Sequence, residues 1–296
     1  MNPSFNHPTD DPTVSDSKTR FYLNHAGAPL LLALLLFVSF DLTGLDVILS
    51  DWMYNTTTHA FPLQHSKLFE TITHKWARII PNWTGEAAVV GAVLSFIWPL
   101  LKAEKHPRLL AWLEKTRIGP VLRFLSRHRR DLLFVVFAFS ITTGAIHYFK
   151  SHTSIYCPVE TTLYGGTEQK KEWFENFNLL HDAGKGRCWP GGHASGGFTM
   201  MALFFVARRY RWRHARKLLA FSLALGMVYG TTRVLQGWHF MSHTFWAGII
   251  VWFSMFLTAM AFYGRRRLDP AIQPSPADTA SSAFKRAACP VPQAQP

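Results

Sequence analysis

The sequence predicts an all-α, polytopic membrane protein with six transmembrane helices and both termini in the cytoplasm. Three observations predict it. Of the 296 residues, 48% are hydrophobic and only 17% are charged, against roughly 25% charged in a soluble domain. Apolar runs approaching the roughly 20 residues needed to cross about 30 Å of hydrocarbon recur along the chain. The basic residues behind a formal net charge of +13 come in short blocks between those runs. That pattern marks a chain threaded through a membrane and argues against a nucleic-acid partner, which would need one basic surface.

Residues 1–27 are polar, with Asp10, Asp11, Asp16, Lys18 and Arg20, and lack a cleavable signal pattern, so the first apolar run is read as an uncleaved insertion signal. The six spans are Ala28 to about Leu49, Ala87 to Leu101, Leu132 to Phe149, Ser195 to Ala207, Leu218 to Val234, and Phe245 to Tyr263. Leu63 to Ile80 has helical apolar spacing and reads as an amphipathic helix on the outer interface, with a structural role. Residues 28–264 make one domain. Residues 265–296 are rich in Pro, Ala, Ser and Gln and read as a disordered cytoplasmic tail.

Orientation follows from the connections. Lys102 to Arg130, Arg208 to Lys217 and Arg265 to Arg267 carry dense Lys and Arg, and the alternate loops carry little for their length. Basic loops stay inside, so both termini are expected there, with Ser50 to Asn82, Lys150 to His193 and Gly237 to Ser242 outside.

Chemistry is concentrated in the last two outer segments. Arg233 lies near the end of the fifth span, where a charge is costly without a partner; no carboxylate is near it in sequence, and a bound phosphate would match its planar fork. His239 and His243 are four residues apart and share a helix face, so one imidazole can fix the tautomer of the other. Pro190-Gly191-Gly192-His193 reads as a tight turn into a helix, where Gly191 and Gly192 let backbone N–H groups approach an anion. His193 is placed to give a proton to a leaving group, and Lys150 adds a positive charge from the third span.

This order and spacing resembles the type 2 phosphatidic acid phosphatase family, whose motifs are Lys-x6-Arg-Pro, Pro-Ser-Gly-His and Ser-Arg-x5-His-x3-Asp. Here they are met by Lys150 followed by Cys157-Pro158, by Pro190-Gly191-Gly192-His193, and by Thr232-Arg233 with His239 and His243. The resemblance covers about Leu132 to Tyr263. It implies that His239 attacks phosphorus to form a phosphohistidine, that His193 protonates the departing oxygen, and that Lys150 and Arg233 hold the phosphoryl oxygens. It implies no cofactor and no metal. The chain departs from the pattern at Cys157, Gly191 and His243, which replace Arg, Ser and Asp; Arg187 or Lys185 is a candidate for the missing cation.

The expected function is therefore hydrolysis of a lipid phosphate or diphosphate, on a phospholipid or an isoprenoid, at the periplasmic face of a bacterial inner membrane. Lipid phosphotransfer, and non-catalytic phospholipid binding, are the alternatives; no protein partner is expected. A zinc site of His239, His243 and a cysteine is disfavoured, since the helix lacks the Glu of a zincin. Cys157 and Cys188 share an outer loop, where they form either a disulfide bracketing the site or two free thiols.

Overall fold

The computed structural model describes residues 12–269 apart from Ala77, together with Ala271. The first eleven residues, and the tail from residue 272 on, lie outside the described residues. The architecture is all helical, with no strand among the described residues.

The first helix, α1, runs through Pro12–Tyr22 and Ala28–Leu36, with π-helical turns at Leu23–Gly27 and Phe37–Asp41. Its apolar part, Ser17–Asp41, is long enough to cross a membrane. The expected span from Ala28 to Leu49 is thus displaced toward the N-terminus. Gly44, at φ +70°, breaks the chain there, a left-handed conformation that glycine adopts without steric cost. A separate helix follows, α2 (Leu45–Met53). Asp41 and Asp46 sit on either side of this break and not inside one continuous span.

The expected amphipathic segment divides. Lys67–Glu70 forms α3, continued by a π-helical turn at Thr71–Trp76, while Ile79 and Ile80 open the next helix, α4 (Ile79–Leu94). The second span is Ile79–Leu100, longer than the expected Ala87 to Leu101 and starting eight residues earlier. Two short helices, α5 (Pro107–Lys115) and α6 (Ile118–Arg127), then occupy the basic segment.

Helix α7 (Arg129–Thr153) is followed by a long loop, the paired helices α8 (Gly192–Phe198) and α9 (Met201–Arg209), then α10 (Ala215–Leu235), α11 (Met241–Tyr263) and the turn α12 (Arg265–Leu268). Five helices among the described residues are long and apolar enough to cross a membrane. The fourth expected span is the broken pair α8–α9, interrupted at Thr199 and Met200.

Helices in hydrocarbon gain little from hydrophobic burial against one another, so small residues that allow close packing decide how they meet. α8 crosses α10 where a Cβ on Gly197 would lie 2.7 Å from the Gly226 backbone. One turn further along α10, a Cβ on Gly230 would overlap the Thr244 side chain of α11. These contacts hold the ends of α8, α10 and α11 together at the end of the bundle that carries His193, Arg233 and His239. Phe134, Ala138, Met201, Ala202, Phe205, Ala247, Val251 and Met255 fill the core below.

The opposite end is closed by a polar knot. Asp131 accepts hydrogen bonds from Tyr210 Oη (2.6 Å) and Tyr263 Oη (2.9 Å) and pairs with Arg209, tying α7, α9 and α11. The ordered chain continues past Gly264: Arg208 donates to the Leu268 carbonyl (2.9 Å) and Ser17 donates to Asp269 (3.0 Å).

Substituting Gly230 by Ala therefore forces α10 away from α11. Overpacking of this kind costs about 1–3 kcal/mol. Thermal unfolding in detergent should show a clear fall in Tm for Gly230→Ala, and an unchanged Tm would contradict the packing described.

Candidate active site

The site is built where α7, α8, α10 and α11 end together. α7 finishes at Thr153, with Ser154 turned into a left-handed conformation at φ +51°. The loop that follows returns to the bundle at Cys188, whose N–H donates to the Ile155 carbonyl (2.7 Å). A disulfide joins Cys157 to Cys188. Trp189 stacks on Trp173 at 4.9 Å between centroids, and the Trp173 ring meets that of Trp246 edge-on at 5.3 Å. These aromatics seat the loop on α11. Gly191 N–H then donates to the His243 carbonyl (2.9 Å), so the Gly191-Gly192-His193 turn is tied to the helix that bears His243. His239 lies in the bend before that helix and its extended cap residue Phe240, so the two histidines do not share a helix face as expected, and the chain's turn into α11 brings them together instead. A Cβ on Gly191 would lie 3.0 Å from that carbonyl oxygen. A side chain there would require that carbonyl to shift by a few tenths of an ångström.

The start of α11 is fixed from the far end of the sequence. Its cap residue, Phe240, makes no side-chain cap, so the helix's first N–H groups need other partners. Asp46 supplies one, accepting from Ser242 N–H at 2.9 Å. Gly237, at φ +72°, turns the chain just before, and its missing side chain leaves room for Phe61 and Val159.

His239 and His243 are both buried, 7% and 4% exposed. Their Nδ1 atoms face one another at 3.4 Å, and Cys188 Sγ lies 3.1 Å from the same His239 Nδ1. The Nδ1 edge of His239 is therefore occupied by protein, and Nε2 is the nitrogen left for chemistry. Burial lowers the affinity of His239 for a proton below that of an ordinary histidine, and the charges of Lys150, then His243, His193 and Arg233, lower it further. The ring is neutral at neutral pH, the form that has a lone pair to donate.

A cavity of about 710 Å³ gathers these groups. Lys150, Gly192, His193, Arg233 and His239 all line it, and Arg78, Asn82, Glu86 and Arg187 contribute the rest of its charged and amide wall. His243 and Gly191 are not on the wall. His243 stands behind His239, and Gly191 anchors the turn. Of the two candidates for the missing cation, Arg187 lines the cavity and Lys185 does not. The Arg187 guanidinium is held by Asp182 (2.7 Å) and the Gly186 carbonyl (3.0 Å), while its own carbonyl accepts from Lys150 Nζ.

One expectation is corrected here. Arg233 has a carboxylate partner: Nη1 donates to Glu70 Oε2 and to Gln236 Oε1, both at 2.9 Å. Glu70 comes from α3, 163 residues away, so the segment expected to be only structural reaches the site. Arg233 Nε remains buried with no hydrogen-bond partner among the described residues. Sequence reading also missed Arg78, Asn82 and Glu86, which lie four residues apart and so share one face of the chain entering and forming α4.

Cys157, Cys188 and His239 bring ligand-type atoms within 4.8 Å of one another. With the two sulfurs bonded to each other, they are not available together as thiolate ligands for a metal ion.

Residues 130–267 match the family model of the PAP2 superfamily. This segment, a little under half of the chain, is similar to the PAP2 superfamily. It runs from the start of α7 to α12 and so contains Lys150, His193, Arg233 and His239, which supports a phosphatase-type protein that hydrolyses phosphoric esters. Comparison with curated proteins and with solved structures gave no match.

The Glu70 carboxylate competes with an incoming anion for Arg233. Glu70→Gln keeps a hydrogen-bonding group there and removes the charge. The Coulomb gain for an anion about 6 Å away, discounted because Glu70 is 42% exposed, corresponds to roughly three- to tenfold tighter binding. Titration of the purified protein with orthovanadate should show that gain; weaker binding would mean that the carboxylate is needed to aim Arg233.

Proposed function

We propose that the protein is a membrane lipid phosphatase that works through a phosphohistidine on His239. The observation that carries this reading is the pairing of a neutral imidazole, blocked at Nδ1 by His243 and Cys188, with Lys150, Arg233 and His193 around one cavity. His243 takes the orienting part that a carboxylate plays in the family pattern. With the proton of His239 on Nδ1 and directed at His243, Nε2 carries the lone pair.

Nε2 attacks phosphorus as the bond to the leaving oxygen breaks. Lys150 and Arg233 offset the charge on the phosphoryl oxygens, and His193 gives its proton to the departing oxygen. Water then attacks the phosphohistidine, His193 takes the proton from that water, and the P–N bond breaks to restore His239. The superfamily match and the apolar helices support the phosphatase and membrane parts of this reading.

The lipid character of the substrate is supported by the depth of the cavity. Its wall continues from the charged mouth to Phe139 and Thr142 on α7 and to Thr199. Thr142 is eight residues from Lys150, about 12 Å along a helix, so a headgroup at the mouth leaves room for an attached chain. We place this mouth on the periplasmic side of a bacterial inner membrane, because the arginine-rich segments collect at the opposite end of the bundle.

Phosphate release from a panel of phosphatidate, phosphatidylglycerol phosphate, undecaprenyl diphosphate and lipid A tests the reading. The purified protein should hydrolyse at least one member and be inhibited by orthovanadate, and His239→Ala should lower kcat by at least about a thousandfold. Tight lipid binding without release would favour a non-catalytic role.

The pH dependence has a defined sign. A nucleophile with a lowered pKa stays neutral to more acidic pH, so the acid limb of kcat/KM assigned to His239 should lie below 6.5 after the substrate's own phosphate ionisation is allowed for. A limb above 6.5 would contradict the neutral, desolvated imidazole.

A further inference from the structure

The Cys157–Cys188 disulfide does more than close a loop. Of its two sulfurs, that of Cys188 lies 3.1 Å from His239 Nδ1, the nitrogen that must keep its proton for Nε2 to attack. The chemistry of that contact depends on the oxidation state of the sulfur. A disulfide sulfur has no hydrogen and can only accept, so it is compatible with an N–H at Nδ1. A thiol at the same place is a donor with two acceptors in reach, the Trp238 carbonyl at 2.9 Å and His239 Nδ1 at 3.1 Å, of which the imidazole nitrogen is the stronger base. Donation from Cys188 S–H to Nδ1 makes Nδ1 the acceptor, and since a neutral imidazole has a single N–H, the ring proton moves to Nε2. The attacking lone pair is then gone, and His239 loses its proper hydrogen bond to His243, whose Nδ1 lies 3.4 Å away.

We propose that Cys188 is a positioning residue for His239, and that the Cys157–Cys188 pair is a redox gate: oxidised, the nucleophile is available; reduced, its tautomer is inverted and turnover falls. Closing the gate needs an external dithiol reductant. Each turnover of that step breaks the S–S bond, places one hydrogen on each cysteine sulfur and converts the dithiol to its own disulfide. Opening it reverses the exchange with an external disulfide. The inference rests on His239 as nucleophile but goes beyond it.

The two cysteines are not equivalent in this account, and that makes it testable. Cys157→Ala breaks the bond and leaves a thiol against His239. Cys188→Ala breaks the same bond and leaves no sulfur there. A disulfide that serves only as a crosslink predicts the same activity loss for both. The gate predicts that kcat of Cys157→Ala is at least tenfold below that of Cys188→Ala, with KM and Tm similar in the two.

Both variants are to be made in the full chain in a Cys289→Ser background, so that no other thiol can pair. The wild-type cysteine pair in that background, treated with dithiothreitol until thiol titration shows two free sulfurs, should fall toward the Cys157→Ala value and recover on reoxidation. Equal kcat in the two variants, a lower kcat in Cys188→Ala, or full activity of the reduced pair would each overturn the gate. The reading of His239 as nucleophile would survive any of those results, since it fails only if His239→Ala keeps its activity.

Discussion

The arrangement turns on how one edge of a single imidazole is held. His239 Nδ1 is confined between His243 Nδ1 and Cys188 Sγ, and everything else at this end of the bundle fixes one of those three residues. Asp46 holds the first turn of the helix that carries His243. The His243 carbonyl takes the Gly191 N–H and so ties down the turn bearing His193. The stacked tryptophans and the disulfide seat Cys188. An imidazole free to rotate would present either nitrogen to a substrate; here Nδ1 is engaged by His243 and Cys188 while the ring lines the cavity, and that leaves Nε2 for the chemistry.

The electrostatics follow from the same confinement. Burial of His239 among Lys150, His193 and Arg233 disfavours its protonated form. Lys150 and Arg233 also favour an anion in the cavity. One arrangement of charge thus does two jobs, keeping the nucleophile neutral and drawing a phosphate toward it. Glu70 and Gln236 keep Arg233 from being an isolated buried charge in the unoccupied site, so the site does not depend on a bound anion to be stable. The close helix crossings at Gly197 and Gly230 bring these groups within reach of each other without a large interface.

Much of this was legible in the sequence, and what was not has identifiable causes. The third, fifth and sixth helices, Lys150 and the Pro-Gly-Gly-His turn were readable because the signals are local; the fourth span is a broken pair of short helices, and His239 meets His243 from a bend before α11 and not from the helix face that their spacing suggested. The first span was misplaced because the apolar run continues through Gly44, and hydropathy does not register a left-handed turn. Glu70 was invisible for a different reason. It sits in a short segment of mixed polarity, and only the tertiary fold carries it to Arg233, 163 residues on. Asp41 and Asp46 fall in the second half of the apolar run read as the first span, and only the fold shows what they hold: they accept hydrogen bonds from Trp246 Nε1 and Ser242 N–H, both at 2.9 Å. Cys188 lies two residues before the Pro-Gly-Gly-His turn, but its contact with His239 follows from the way the loop folds back.

The central claim is that phosphorus is attacked by Nε2 of His239. Its most direct test is to quench the enzyme during turnover of a 32P-labelled substrate at alkaline pH, where phosphohistidine survives, and to map the label by peptide mass spectrometry. The account predicts phosphate on residue 239 in the wild type, at higher occupancy in His193→Ala with a substrate whose leaving group needs no proton. Label found elsewhere, or turnover that proceeds with no label on His239, would contradict it.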